Sequence, residues 1–218
     1  MKVTFLAVLS AFLILTLTGC GSDNNPPQLF VTSILSDSTF DGDIQRDFSS
    51  GLLTVTQGNT ESVFAGIDPI NGDEYRAFLD FPLTGADGVP RNAVIDSAYL
   101  EIFINNVDVQ FSNDTIPVRI DLVYFQPPNL IESDFDRTSQ PALATITVNP
   151  PISVADLGEY IRIDVTQLMD VAQRNGLLDF QVRIMKDFGD VIPGLFEIND
   201  TTGVNRSILA PLLTVNYF

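Results

Sequence analysis

Residues 97–105 read SAYLEIFIN, and their alternation decides the architecture. In an extended chain Ala98, Leu100, Ile102 and Ile104 share one side, and Tyr99, Glu101, Phe103 and Asn105 share the other. A helix would scatter the same aliphatics around its circumference. The period returns in VRIDLVYF (118–125), where Val118, Ile120, Leu122 and Tyr124 alternate with Arg119, Asp121, Val123 and Phe125. YIRIDV (160–165) sets Ile161, Ile163 and Val165 against Tyr160, Arg162 and Asp164. LDFQVRI (178–184) aligns Leu178, Phe180, Val182 and Ile184, and LLTVNYF (212–218) supplies a closing strand. Strands of this kind predict antiparallel sheets, one wall in the core and the other wet.

Turn chemistry separates the strands at Asn71-Gly72-Asp73, Gly85-Ala86-Asp87-Gly88, Asn105-Asn106 and Pro127-Pro128-Asn129. One helix interrupts the pattern, over about 165–175. Asp164 is placed to cap it, with Gln167 three residues on in a capping-box arrangement. Val165, Leu168 and Ala172 make its inner stripe, and Asn175-Gly176 is a stop signal. Many strands, one short helix and no βαβ rhythm predict an all-β fold, an antiparallel jelly-roll-like β-sandwich formed by a single domain from 28 to 218.

The chain has 218 residues, ample for a proper core, and its 28 acidic against 11 basic side chains give a net charge of −17. An acidic body repels phosphate backbones, so nucleic acid is not an expected partner. There is no histidine, which removes Ser-His and Cys-His nucleophile chemistry and histidine-ligated metals. A single cysteine removes disulfide frameworks.

That cysteine, Cys20, follows an apolar run from Val3 to Leu17, behind Lys2. The run is about 15 residues long, short for a membrane-spanning helix and suited to a secretory signal over 1–19. Leu17-Thr18-Gly19-Cys20 resembles the bacterial lipobox. A thiol at this place can take a diacylglycerol thioether, small residues admit the peptidase, and cleavage frees an amine for a further acyl chain such as palmitate. Two or more chains give stable anchoring. Residues 20–27, CGSDNNPP, then read as a flexible tether. Gly21 differs from the Asp of the inner-membrane retention signal, so the expected address is a Gram-negative outer membrane, reached through the lipid anchor.

Four segments, in order, are similar to those of the DNRLRE-domain family of bacterial secreted proteins. They are EYRAFLDFPL (74–83), VIDSAYLEIFI (94–104), IRIDVTQLM (161–169) and APLLTVNY (210–217). The resemblance runs from about Ile34 onward. It implies a β-sandwich akin to carbohydrate-binding modules, noncatalytic and attached to surface or extracellular proteins. The chain departs from relatives in having no tryptophan, with Phe135 in the region ESDFDRTSQP (132–141) where they often carry one.

Sugar platforms favour Tyr or Trp rings, whose flat faces cover a pyranose. Tyr99 and Tyr160 lie on the polar side of their strands beside Glu101 and Arg162, and these four are the candidate ligand-binding residues; cross-strand packing is the plainer alternative. SDSTFDGDIQRD (36–47) gathers Asp37, Asp41, Asp43 and Asp47 around Gly42. Asp37, Asp41 and Asp43 suit Ca²⁺, although the spacing is not that of an EF-hand, and a solvated acidic loop is the other reading. Asp187-Phe188-Gly189 has the letters of the kinase magnesium motif without any of its companions. No catalytic residue emerges. A glycosidase or lyase needs only two carboxylates, and 28 acids make pairs uninformative. The expected function is a noncatalytic, lipid-anchored envelope module that binds polysaccharide. The alternative is a structural or assembly lipoprotein contacting an envelope protein.

Overall fold

The computed structural model describes residues 28–125, 129–187 and 192–218. The signal, Cys20, its tether, the Pro127-Pro128 turn and Phe188-Gly189 lie outside the described residues. In chain order the strands are β1 (Phe30–Leu35), β2 (Gly42–Arg46), β3 (Leu53–Gln57), β4 (Ser62–Ile67), β5 (Glu74–Pro82), β6 (Ile95–Val109) and β7 (Thr115–Ile116). They continue as β8 (Val118–Val123), β9 (Ala144–Thr147), β10 (Ile152–Ser153), β11 (Tyr160–Asp164), β12 (Asp179–Lys186), β13 (Gly194–Asn199) and β14 (Leu212–Tyr217). Among the described residues the remaining elements are two α-helices, α1 (Thr166–Arg174) and α2 (Arg206–Leu209), and two 3-10 turns at Glu132–Phe135 and Val154–Asp156.

All the strand pairings are antiparallel. One wall orders β1–β14–β6–β11. The other orders β6–β13–β4–β5–β12–β8–β9, with β2 on β5 and β3 on β2. Strand β6 belongs to both. Its residues up to Phe103 pair with β14 or β11, while Ile104 and 106–109 pair with β13. The register slips between Glu197 and Ile198, which lets β6 turn the corner. Asn105-Asn106, expected as a turn, are therefore the bulge inside a 15-residue strand.

The core lies between the walls, as the alternation predicts. Ala98, Leu100, Ile102, Leu213 and Val215 meet Val63, Leu79, Phe81, Val182 and Phe196 in one apolar cluster. Tyr124 and Leu178 depart from the expected pattern and are exposed. Where β4 passes β13, a Cβ on Gly66 would lie 2.1 Å from the Gly194 carbonyl oxygen, and its φ of +124° needs glycine as well.

The helix forms close to its expected span. Leu168, Met169 and Ala172 are buried in the core, Met169 being the addition to the expected stripe. Its start differs in detail: Asp164 Oδ1 accepts from the Thr166 N–H at 2.9 Å and the Thr166 hydroxyl at 2.6 Å, and Gln167 closes no box with it. Gly176, at φ +63°, ends the helix as expected. Asp164→Ala is expected to cost about 1 kcal/mol, read as a small drop in the unfolding midpoint without loss of the fold. Helix α2 had no counterpart in the sequence pattern.

The second wall is where the expectation of a wet outer face fails. Arg76, Phe78 and Asp80 of β5, Gln181 and Arg183 of β12, and Asp121 and Val123 of β8 point away from the main core, yet all are buried. The β2–β3 hairpin and the turn at Glu132–Phe135 roof them. A second apolar cluster of Ile44, Phe78, Val123, Phe125, Leu130 and Phe135 fills the space beneath. Between roof and sheet, Arg183 binds Asp121 at 2.8 Å, the Asp134 carbonyl at 2.8 Å and the Gln140 carbonyl at 3.1 Å.

Candidate functional site

The first wall is not roofed in this way, and the sequence-nominated residues gather there. Register places Tyr160 opposite Phe103, Arg162 opposite Glu101 and Asp164 opposite Tyr99. On the other side of β6, Leu212 pairs with Glu101 and Thr214 with Tyr99. Period-2 alternation then sends Tyr99, Glu101, Phe103, Tyr160, Arg162 and Leu212 to the same outer surface.

Their contacts give each a distinct role. The Arg162 guanidinium lies 3.8 Å from the centre of the Tyr99 ring and 3.6 Å from Glu101 Oε1. One face of Tyr99 is thus covered, so Tyr99 supports Arg162 and is not an open platform. Tyr160, 50% exposed, meets Phe103 edge-on with ring centres 5.0 Å apart and donates its hydroxyl to the Ile208 carbonyl at 2.6 Å. That bond fixes the ring's attitude. Glu101, Tyr160, Arg162, Ile208, Ala210 and Leu212 line a concavity of about 320 Å³.

This concavity has an apolar floor from Leu212, Ala210 and Ile208, one fixed aromatic wall, and a carboxylate and guanidinium at the rim. Such a set can cover an apolar sugar face while donors and acceptors meet hydroxyls. Tyr99, Glu101, Tyr160 and Arg162 were legible from alternation. Ile208, Ala210 and Leu212 were not, because SILAPLL (207–213) shows an apolar run with no period of its own.

The acidic segment behaves differently. Asp37 Oδ1 accepts from the Thr39 N–H at 3.0 Å, Asp41 Oδ1 from the Asp80 N–H at 2.8 Å and Asp43 Oδ2 from the Phe64 N–H at 3.2 Å. Three partners on three separate elements hold the three carboxyls, and Asp41 and Asp43 are buried. Among the described residues no group of three or more carboxylate, histidine or cysteine side chains is arranged to hold a metal ion. The Asp37, Asp41 and Asp43 set expected for Ca²⁺ is therefore not assembled, and the solvated-loop alternative fails too for Asp41 and Asp43.

Burial instead raises the proton affinity of Asp41 and Asp43, and of Asp80 beside them. Desolvation pushes Asp43 up to about 7 and Asp80 up to about 6, against opposing hydrogen bonds from the Phe64 N–H and Gln181 respectively. Asp41 is raised well above its usual range by burial first and then by the nearby Asp200 charge. Asp200, also raised by burial, is ion-paired to Arg206 at 3.0 Å. The buried Oδ2 atoms of Asp41 and Asp200 each lack a hydrogen-bond partner among the described residues. Both carboxyls are fully buried, which places them out of a substrate's reach as an acid–base pair.

No family model matches this chain, and the comparison with curated proteins gives no match. Among solved structures, it is similar to one titled "Structure of infectious bursal disease virus Gx strain", at 12% identity and a TM-score of 0.16. The similarity covers 91% of this chain and 40% of that one, and at so low a score it carries no argument. Among the described residues no helix is long and apolar enough to cross a membrane.

Proposed function

We propose that the protein is a noncatalytic binding module of the bacterial envelope, anchored by lipid at Cys20, whose β11–β6–β14 face receives a polysaccharide. The observation that supports this most is the concavity itself. Four residues nominated from separate strands by sequence adjoin on one uncovered sheet face, with the Tyr160 ring fixed and the Arg162–Glu101 pair at its edge. A pre-set aromatic and a paired charge lose little freedom on binding, which suits weak, repetitive contact with a sugar chain. The lipobox-like stretch and the four DNRLRE-like segments support an envelope address and a noncatalytic role.

Native gels cast with individual polysaccharides test this with the full-length chain in detergent. At least one polysaccharide is expected to retard the protein. Arg162→Ala should weaken that retardation about tenfold with little change in unfolding midpoint, because Arg162 is exposed and its ion-pair partner Glu101 is partly exposed. A chain that migrates identically in every gel would overturn the proposal. In cells, Cys20→Ala should abolish palmitate incorporation.

A further inference from the structure

One end of the sandwich gathers the first residues of β1, β6 and β12 and the last residues of β5 and β14. Register brings Phe30 opposite Tyr217, Tyr217 opposite Ile95, and Pro82 opposite Asp179. Around these pairs Leu29, Phe30, Val31, Val94, Leu178 and Phe218 are exposed, Val94 and Val31 the most so at 65% and 62%.

This apolar rim is held in place. Val94 and Phe218 exchange backbone hydrogen bonds at 3.0 Å, and the Phe30 ring stacks on Tyr217 with centres 5.8 Å apart. The loop over 83–93 is fastened on three sides. The Leu83 N–H donates to the Leu178 carbonyl at 2.9 Å, the Thr32 hydroxyl to the Asp87 carbonyl at 2.8 Å, and the Gln173 amide to the Pro90 carbonyl at 2.8 Å. Side chains on so fixed a frame stay in water unless something beyond the described chain covers them. Charged groups in segments 28–32, 82–96, 173–180 and 216–218 are mixed, Asp87, Asp96 and Asp179 with Arg91 and Arg174, so no basic cluster selects an anionic partner.

Exposed apolar groups alone do not single out this end, since Phe48, Leu52 and Ile70 are exposed at the other, where β5 begins. The chain that leads to it does. Leu29 stands nine residues after Cys20, a separation that the backbone spans with at most about 32 Å. A lipid on Cys20 keeps this end within that reach of the bilayer, whereas the opposite end lies about 30 Å farther along the nine residues of β5. Over so short a link docking is intramolecular, and a modest apolar contact suffices. We propose that the rim of Leu29, Phe30, Val31, Val94 and Phe218 docks on the lipid surface, its side chains entering the boundary between headgroups and acyl chains, with the sheets standing end-on to the membrane. This rests on the lipid anchor at Cys20 and stands whether or not the β11–β6–β14 face binds sugar.

The chain has no tryptophan, so one introduced by substitution reports alone. The full-length lipidated chain carrying Val31→Trp, Val94→Trp or Ile70→Trp, the last 94% exposed at the opposite end, is reconstituted with phosphatidylcholine vesicles whose acyl chains do or do not carry bromine. Flotation with the vesicles reads the anchor, and quenching by bromine reads the docking. Val31→Trp and Val94→Trp are expected to lose about half of their emission to brominated lipid, and Ile70→Trp less than about a tenth. Adding phosphatidylglycerol should not deepen the quenching, and a marked increase would overturn the apolar basis of the contact. A chain that floats with Val31→Trp and Val94→Trp unquenched, or with Ile70→Trp quenched equally, would overturn the docking alone. A chain that does not float would overturn the anchor and the docking together. Blue-shifted but unquenched emission from Val31→Trp would assign the rim to a second copy of this chain, paired along the β1 edge, and overturn the lipid contact.

Discussion

Arg183→Ala is expected to lower the unfolding free energy by about 4 kcal/mol, because breaking a buried ion pair strands its partners in a medium that cannot solvate them. Arg183 is 0% exposed and is the largest fully buried side chain. Its loss removes the bonds to the Asp134 and Gln140 carbonyls that fasten the roof, and leaves a void under Phe135. Asp121 would retain Arg137 and Thr145, which caps the cost. For a chain of this length the unfolding midpoint should fall by roughly 10 °C. Proteolysis of the native protein should move to residues 129–140, the part set loose. A midpoint within about 2 °C of the parent would mean the roof does not depend on this pair.

The second large effect is on pH. A carboxyl whose pKa is raised by folding contributes stability that is fully present below the unfolded value, near 3.9, and is lost as pH rises towards the folded value. Asp43, raised to about 7, and Asp80, raised to about 6, set that window, with Asp41 acting in the same direction. The protein is therefore expected to be more stable at pH 5 than at pH 8, by about 4 kcal/mol. The lowered carboxyls Asp47, Glu61 and Asp136 have the opposite sign, and their contribution is lost only as pH falls below the usual carboxylate range. Maximum stability should thus lie on the acid side of neutrality. Asp43→Asn, which imitates the protonated form and can still accept from the Phe64 N–H, should flatten the curve by stabilising the protein at pH 8. Thermal unfolding across pH 4–8 reads both effects, and a curve rising towards pH 8 would contradict them.

Both effects come from the part of the molecule that the sequence concealed. Alternation along SAYLEIFIN and YIRIDV says which side of a strand is apolar, so the main core and the neighbours Tyr99, Glu101, Tyr160 and Arg162 were legible. The antiparallel sandwich and its helix follow from the same local patterns. Alternation cannot say what covers a polar wall. Arg76, Asp80, Asp121, Gln181 and Arg183 carry the pattern of a wet face, and only the fold-back of β2–β3 and the 132–135 turn buries them. That cover depends on contacts between residues far apart in the chain, which leave no periodic trace. For the same reason Asp41 and Asp43 resembled a cation loop, although their neighbours, Asp80, Phe64 and Asp200, come from distant segments. Asn105-Asn106 misled in the other direction, since residues that favour turns also suit the bulge of a bent strand.

Hydrogen exchange of the full-length chain, with and without a polysaccharide that retards it, tests the proposed binding face most directly. Protection is predicted within residues 97–103, 160–164 and 208–214, where Tyr160, Arg162 and Leu212 line the concavity. Unchanged exchange across those segments, or protection confined to the β2–β3 hairpin, would contradict a sugar-binding role for this sheet face.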